Sequence, residues 1–185
     1  MADESRSFAR EEYAALRATI RERGTMRIVL LLVTMIAWAA LVVAVTAAIS
    51  LPILALVPLV VLLTGFEGLY ALYTGVERVG RYLQVYYEPS GPGELPGWER
   101  VAMDYATRYP GGAIDPLFTT AFLLATIANF LPVALGGTPA EWLVVGAAHA
   151  AFAWRIVRAR RRAAFERALD LERLSALRRT PGPSA

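Results

Sequence analysis

Three polar residues lie within long apolar stretches of this chain, where their side chains could do chemistry inside a membrane. Glu67 is the most prominent, because it is the single charged residue between Arg27 and Glu77. A carboxylate in hydrocarbon costs about 2.5–3.5 kcal/mol on insertion scales, so it normally faces a cavity or a partner. Glu67 is therefore either a proton or cation site, or a polar group that holds helices together through Thr64, Tyr70 or a neighbouring helix. We favour the second interpretation.

His149 and Asn129 are the other two polar candidates. A lone histidine in a membrane helix can relay protons or respond to pH, but it is more often a neutral hydrogen-bonding residue. Helix rise, counted along each apolar segment, places both residues at a similar depth in the outer half of the membrane. We therefore expect an interhelical hydrogen bond between His149 and Asn129. The same counting places Glu67 deeper, which argues against a Glu67–His149 dyad.

A polar segment in the middle of the chain, residues 76–116, is rich in aromatic side chains. Its candidate site residues are Tyr82, Tyr86, Glu88, Trp98 and Glu99. One interpretation is a ligand pocket with Glu88 and Glu99 as a carboxylate pair. The other is an amphipathic segment whose aromatic side chains lie in the membrane interface. We favour the second, because carboxylates this far apart across a Pro- and Gly-rich loop make no catalytic pattern.

Composition narrows the chemistry further. The chain has no Cys and one His, which excludes disulfides, thiolate chemistry and sites built on several histidines. An enzyme acting on lipid would have to use Glu88, Glu99 or Asp104 beside Arg81 and Arg100, without the usual nucleophile or metal-ligand spacing. We therefore lean against an enzyme, and we expect no catalytic residue, no metal and no cofactor.

The elements that must position these residues are helices in a membrane. Of the 185 residues, 56% are apolar, and a helix needs roughly 20 apolar residues to cross a bilayer. The predicted fold class is all-α: a four-span transmembrane helical bundle with cytosolic helical extensions. The four predicted spans are Ile28–Ile49, Leu51–Tyr73, Leu117–Leu135 and Trp142–Val157.

The basic residues predict the orientation. All nineteen are arginines, and none lies in the short connections within the two apolar pairs. The positive-inside rule then places both termini and the central segment in the cytosol. The absence of Lys and the high Ala content suggest a GC-rich bacterial genome, so the expected location is a bacterial inner membrane. Anionic lipid headgroups are the expected partners of five arginines near the fourth span. These are Arg155, Arg158, Arg160, Arg161 and Arg162. Nucleic-acid binding is not expected, because this basic run lies against the membrane and lacks interleaved aromatics.

The chain is thus predicted to divide into six segments. Two are transmembrane hairpins, and they separate cytosolic segments that include an amphipathic centre and an Arg-rich helix. Gly24 is expected to interrupt the N-terminal helix just before the membrane. Arg162–Glu166 and Asp170–Arg173 are expected to be ion pairs along the Arg-rich helix. The segments are a cytosolic N-terminal helix (1–27), the first hairpin (28–75), the amphipathic centre (76–116), the second hairpin (117–157), the Arg-rich helix (158–179) and a disordered tail (180–185).

One stretch resembles a known group of proteins. Arg78, Tyr82, Leu83 and Glu88, followed by Gly97-Trp98-Glu99, form the pattern R-x-x-x-Y-L…E…G-W-E. Residues 11–100 in this respect resemble a group of uncharacterised, actinobacterial-like integral membrane proteins. In that group an Arg-rich helix leads into the first span, and the second span runs into this cytosolic segment. The resemblance implies a bacterial membrane location and transfers no activity.

Two function classes remain beside the lipid enzyme. The favoured one is a non-catalytic membrane protein, a scaffold, sensor or accessory subunit, which binds a second copy or a membrane protein partner through its cytosolic helices. Those helices carry apolar stripes with too little other chain to bury them. The alternative is an oligomeric ion or proton channel, or a small transporter, with Glu67 in the pathway.

Overall fold

The structure is a computed structural model that describes residues 2–48, 51–88, 95, 97–108 and 116–179. Within these residues the chain is all-helical and has no strand, as predicted. It contains five α-helices, with a short 3₁₀ helix at Pro52–Ala55 before the second. The predicted disordered tail, 180–185, lies outside the described residues. The α-helices are α1 (Ala2–Ala48), α2 (Leu56–Tyr86), α3 (Trp98–Arg108), α4 (Pro116–Gly136) and α5 (Pro139–Arg179).

Helix α1 runs without a break through Gly24, so the predicted interruption there is wrong. One glycine in a helix interior costs only about 1 kcal/mol relative to alanine. The residues on both sides belong to one long helix that continues into an apolar stretch, and this outweighs the local cost. Helix α2 extends from the second predicted span into the amphipathic centre, and α5 contains both the fourth predicted span and the predicted Arg-rich helix.

Three helices are long and apolar enough to cross a membrane, and they mark the chain as a membrane protein. They lie within Arg6–Ala47, Pro52–Tyr86 and Phe118–Gly136. The outward face of α1 supports this, because large apolar side chains such as Leu32 and Ile36 are exposed on it. The fourth predicted span is part of α5 and is less apolar, since it contains His149 and Arg155.

The chain divides into two compact units. The first unit comprises Met1–Met26, Leu72–Ala113 and Arg162–Ala185, and the second comprises Arg27–Ala71 and Ile114–Arg161. These boundaries fall within a few residues of the ends predicted for the two transmembrane hairpins. The second unit thus collects the apolar stretches, while the first collects the charged ones.

Aromatic side chains form the centre of the second unit. Phe66 of α2 makes edge-on contacts with Phe122 of α4 and Phe152 of α5, with ring centroids 5.4 and 5.9 Å apart. Leu62 and Ile156 are almost fully buried in the same cluster. Edge-to-face rings stabilise such contacts beyond the area they bury, so α2, α4 and α5 pack around one aromatic core.

Helices α1 and α2 pack closely against each other at Gly65. A β-carbon at this position would lie 2.2 Å from Cγ2 and 2.3 Å from Oγ1 of Thr34. Thr34 is itself buried, and its hydroxyl donates to Leu30 O in its own helix over 2.7 Å. The side chain of Thr34 thus fills the space that the missing β-carbon leaves. Small residues allow this kind of backbone approach between membrane helices.

A capping box begins helix α5. The backbone N–H of Thr138 donates to Glu141 Oε2 over 2.8 Å, and the N–H of Glu141 donates back to Thr138 Oγ1 over 3.3 Å. The first of these bonds lowers the pKa of Glu141, because it stabilises the carboxylate. Pro139 suits the first helical position, where no N–H donor is required. The connection from α4 to α5 is therefore tight and well defined.

The close approach at Gly65 predicts the effect of one methyl group. Gly65→Ala should lower the thermal midpoint of the detergent-solubilised protein by about 2–12 °C, since overpacking typically costs about 1–3 kcal/mol. Gly136→Ala is the matched control, because a β-carbon there meets nothing within 4 Å. An unchanged or higher midpoint for Gly65→Ala would show that Thr34 does not pack against it in this way.

Candidate functional site

Asn129 is the centre of the polar network in the second unit. Its side chain is 1% exposed. Its Oδ1 accepts a hydrogen bond from Trp38 Nε1 over 3.2 Å. Its Nδ2 donates to Ala55 O over 2.8 Å and to His149 Nε2 over 2.9 Å. One amide therefore bonds to α1, to the 3₁₀ helix before α2, and to α5, and the predicted His149–Asn129 bond is present.

The hydrogen bonds fix the tautomer of His149. Its Nδ1 lies 2.8 Å from Val145 O, an acceptor, so Nδ1 carries the proton. Its Nε2 is then the lone-pair acceptor for the Asn129 amide. Rotating the amide of Asn129 by 180° would place its Oδ1 against Ala55 O and its Nδ2 against the indole N–H of Trp38. Two acceptors and two donors would then face each other, and neither pair could form a hydrogen bond. The network is consistent in one arrangement only, with a neutral imidazole.

A cavity of about 240 Å³ lies beside this network in the second unit. Its lining is largely apolar and includes Val42, Pro52, Pro58 and Pro132, with Asn129 at one side. Both amide hydrogens of Asn129 are already donated, to Ala55 O and to His149. A ligand in the cavity would therefore make mainly apolar contacts. Thr46 also lines the cavity, and its hydroxyl donates to Val42 O of its own helix over 2.8 Å. The arrangement therefore serves to hold the helices together.

Glu67 forms an ion pair with Arg155 of α5, over 2.7 Å between Oε2 and Nη2. The guanidinium of Arg155 also lies over the ring of Tyr70, 5.0 Å from its centroid. Of the partners considered for Glu67, a residue of a neighbouring helix is thus the one present in the structure. The hydroxyl of Thr64 donates to Val60 O instead. Both charged side chains remain about one-third to two-fifths exposed, at 34% for Arg155 and 42% for Glu67.

The other arginines predicted to meet headgroups follow on α5. Arg158, Arg160 and Arg161 are exposed. Arg162 is exposed too, and its Nε donates to Glu166 Oε1 over 2.7 Å, as the helical spacing predicted. The predicted Asp170–Arg173 pair is replaced by an ion pair from Asp170 to Arg78 of α2, over 3.4 Å. A tertiary partner has here displaced the local one.

In the first unit, Glu77 joins two arginines. Arg81 Nη2 donates to Glu77 Oε2 over 2.6 Å, and Arg167 Nε of α5 lies 2.8 Å from the same oxygen. Arg167 also donates to the hydroxyl of Tyr73. Arg81 is buried, and its Nη1 points to Gln84 Oε1 at 3.5 Å. A buried guanidinium must be paired to be tolerated, so Arg81 is a structural residue here.

Glu12 of α1 holds the aromatic part of the central segment. It accepts hydrogen bonds from the hydroxyls of Tyr82, over 3.1 Å, and of Tyr87. Its bond to Tyr87 raises the pKa of that phenol to about 12, because the neutral form is the donor. Tyr82 also stacks on Tyr86, with ring centroids 4.7 Å apart. Two of the predicted aromatic residues, Tyr82 and Tyr86, therefore pack together with Tyr87 in this part of the first unit.

Glu88 and Glu99 do not form a catalytic pair. Glu88 is buried, and its carboxylate accepts from the backbone N–H groups of Glu99, over 2.6 Å, and Arg100, over 3.1 Å. It therefore caps the N-terminus of α3. Glu99 forms an ion pair with Arg17 of α1 over 2.7 Å. Each carboxylate has a structural partner, and the described residues contain no group of His, Cys, Asp and Glu that could hold a metal.

One apolar face of helix α3 is exposed. Trp98, Val101 and Tyr105 are spaced as one helical face, and they are 68%, 45% and 60% exposed. Tyr109, whose spacing in the sequence would continue this face, lies outside the described residues. On α5, Leu171 and Leu174 are half-buried, while Leu177 is 64% exposed. The apolar side chains of α5 are thus partly buried, whereas the three side chains on this face of α3 are mostly exposed.

The Asn129 network predicts a clear loss of stability. Asn129→Leu should destabilise the protein by about 2–4 kcal/mol, because three partners lose bonds worth about 0.6–1.7 kcal/mol each in membrane proteins. Unfolding by a denaturing detergent would measure it. Thr126→Val is the control, since the buried Thr126 hydroxyl bonds only to Phe122 O of its own helix. Equal stability of the two variants would contradict the proposed role of the amide.

Several of these residues were missed from the sequence alone. Four of them have partners that are distant in the sequence: Glu12, Arg17, Trp38 and Arg167. The ion pair of Glu77 with Arg81 is the one contact whose helical spacing could have predicted it. No family model, no curated protein and no solved structure matches the chain.

Proposed function

We propose that the chain is a non-catalytic integral membrane protein, a scaffold, sensor or accessory subunit, which associates with a second copy through its cytosolic helices. It would cross the bacterial inner membrane four times, with both termini in the cytosol. The single observation that carries the association is the open apolar face of α3, formed by Trp98, Val101 and Tyr105.

The contacts of α3 support this assignment. Its N-terminus is capped by Glu88, and Glu99 is tied to Arg17, so the helix is held in place by its polar side. The aromatic face is then presented as a fixed surface. Exposed aromatic side chains of this kind are enriched at the centres of protein interfaces.

Support for the fourth span comes from the partners of its polar side chains. His149 is hydrogen-bonded to Asn129, and Arg155 is paired with Glu67. Polar groups in a membrane helix are tolerated when such partners satisfy them. Trp142 and Trp154, at the two ends of the stretch, are 52% and 62% exposed, as suits interface anchors. The arginine distribution, nineteen to none, supports the orientation.

Self-association through α3 can be measured on the purified protein in mild detergent. Replacing Trp98 and Tyr105 with Ser should shift the mass from oligomer to monomer and remove the crosslinked band. Replacing Phe8 and Phe165 with Ser is the matched control, because these residues are 69% and 66% exposed on other helices of the same unit. Loss of the oligomer in the control alone, or in neither variant, would exclude this face.

The alternative, a channel or transporter with Glu67 in the pathway, has weaker support. Its carboxylate is neutralised by Arg155 in the ion pair described above, and a paired carboxylate has little capacity to bind a passing cation. Sealed vesicles that contain the protein should therefore hold a proton gradient as long as empty vesicles do. Glu67→Gln should give the same result. A leak that disappears in Glu67→Gln would establish the channel instead.

A further inference from the structure

We propose that a pocket of the first unit, between α2, α3 and α5, binds a phosphate group. The pocket has a volume of about 430 Å³. Its polar lining consists of the guanidinium groups of Arg100, Arg178 and Arg179, which can only donate hydrogen bonds, together with Gln84 and Ser175, which can donate or accept. No carboxylate of the described chain lines it. The inference does not depend on the function proposed above.

Two of the arginines are positioned by their own contacts. Arg178 Nη1 donates to Val85 O of α2. Arg179 Nε donates to Ser175 O, one turn back along α5, over 3.2 Å. The remaining N–H groups of Arg178 and Arg179 donate to nothing else among the described residues. Both guanidinium groups are therefore held at the pocket with unused donors.

Gln84 contributes a donor from the floor of the pocket. It is buried at 8% exposure, and its Oε1 faces Arg81 Nη1 at 3.5 Å. This leaves its amide Nε2 as a donor with no acceptor in the part of the chain that is described. A donor that lines the pocket and has no acceptor of its own among the described residues is available to an acceptor ligand there.

The charge of the pocket favours phosphate over a carboxylate. Asp170, which precedes the lining residue Leu171, is engaged by Arg78 in an ion pair of 3.4 Å. Guanidinium groups bind phosphate oxygens through two parallel hydrogen bonds. A phosphate monoester carries close to two negative charges and three terminal oxygens, which matches several arginines better than the two oxygens of a carboxylate.

The phosphate could belong to a soluble compound or to a lipid headgroup, and the experiment has one arm for each. The full chain is placed in phosphatidylcholine nanodiscs, and its thermal midpoint is followed while inorganic phosphate or glycerol phosphate is added. In the second arm, phosphatidic acid replaces part of the phosphatidylcholine. A ligand that binds only the folded state raises the midpoint in a saturable way. A response in the first arm identifies soluble phosphate, and a response in the second arm alone identifies the headgroup.

Arg178→Gln/Arg179→Gln should weaken the response by roughly ten- to a hundredfold in concentration, as charge-assisted hydrogen bonds of this kind require. Arg108→Gln/Arg173→Gln removes the same net charge from exposed positions outside the pocket and should respond like the wild type. Equal weakening in both pairs, or a wild type that responds in neither arm, would overturn the proposal.

Two single variants keep the test valid if the double variant does not fold. Arg179→Gln removes a side chain whose one hydrogen bond is to its own helix, so folding should be preserved while the response weakens. Ser175→Glu places a carboxylate among the guanidinium groups, and it should abolish the response without lowering the starting midpoint. A wild-type response in both single variants would also overturn the proposal.

Discussion

A polar side chain that is surrounded by hydrocarbon has no water to bond to, so its partners must come from the neighbouring helices. Asn129 meets this requirement with one amide. Its oxygen and its two hydrogens are directed to Trp38, Ala55 and His149, which belong to three different elements. Shifting any of these elements along its axis would break one bond, so the amide restrains their relative positions in a way that apolar packing does not.

The first unit uses charge where the second uses an amide. Glu12, Glu77 and Glu99 each accept from residues of another helix, and Glu88 caps α3. These carboxylates are therefore structural groups that hold four helical segments together. Several acidic and basic side chains of this unit thus have structural partners. Arg178 and Arg179 take part in none of these carboxylate contacts, and both line the proposed phosphate pocket.

Much of the fold could be predicted from the sequence, because helix ends and apolar runs are local features. Helix α4, Pro116–Gly136, ends within one residue of the third predicted span at each side, and Asn129 and His149 were paired by counting helix rise. The break expected at Gly24 is absent, since one glycine is a weak signal inside a long helix. The close contact of Gly65 with Thr34 has no local signature either, because it depends on which faces of α1 and α2 meet.

The site was less predictable than the fold for the same reason. Ion pairs at helical spacing were expected, and Arg162–Glu166 is one. Asp170 instead bonds to Arg78, ninety-two positions away along the chain. The sequence allows each arginine many possible carboxylate partners. Which pair forms is decided by the packing of α2 on α5 within the first unit. Functional positions built from such distant partners become visible once the helices are placed.

The tautomer of His149 has a consequence for the reactivity of the chain. Its Nε2 lone pair is the only imidazole acceptor that the sequence provides, and Asn129 already occupies it. A transition-metal ion or an alkylating reagent that enters the neighbouring cavity would first have to displace the amide, and with it the bonds to Ala55 and Trp38. Modification of the imidazole by such reagents would therefore report the opening of the helices and not the accessibility of a ligand in the native protein.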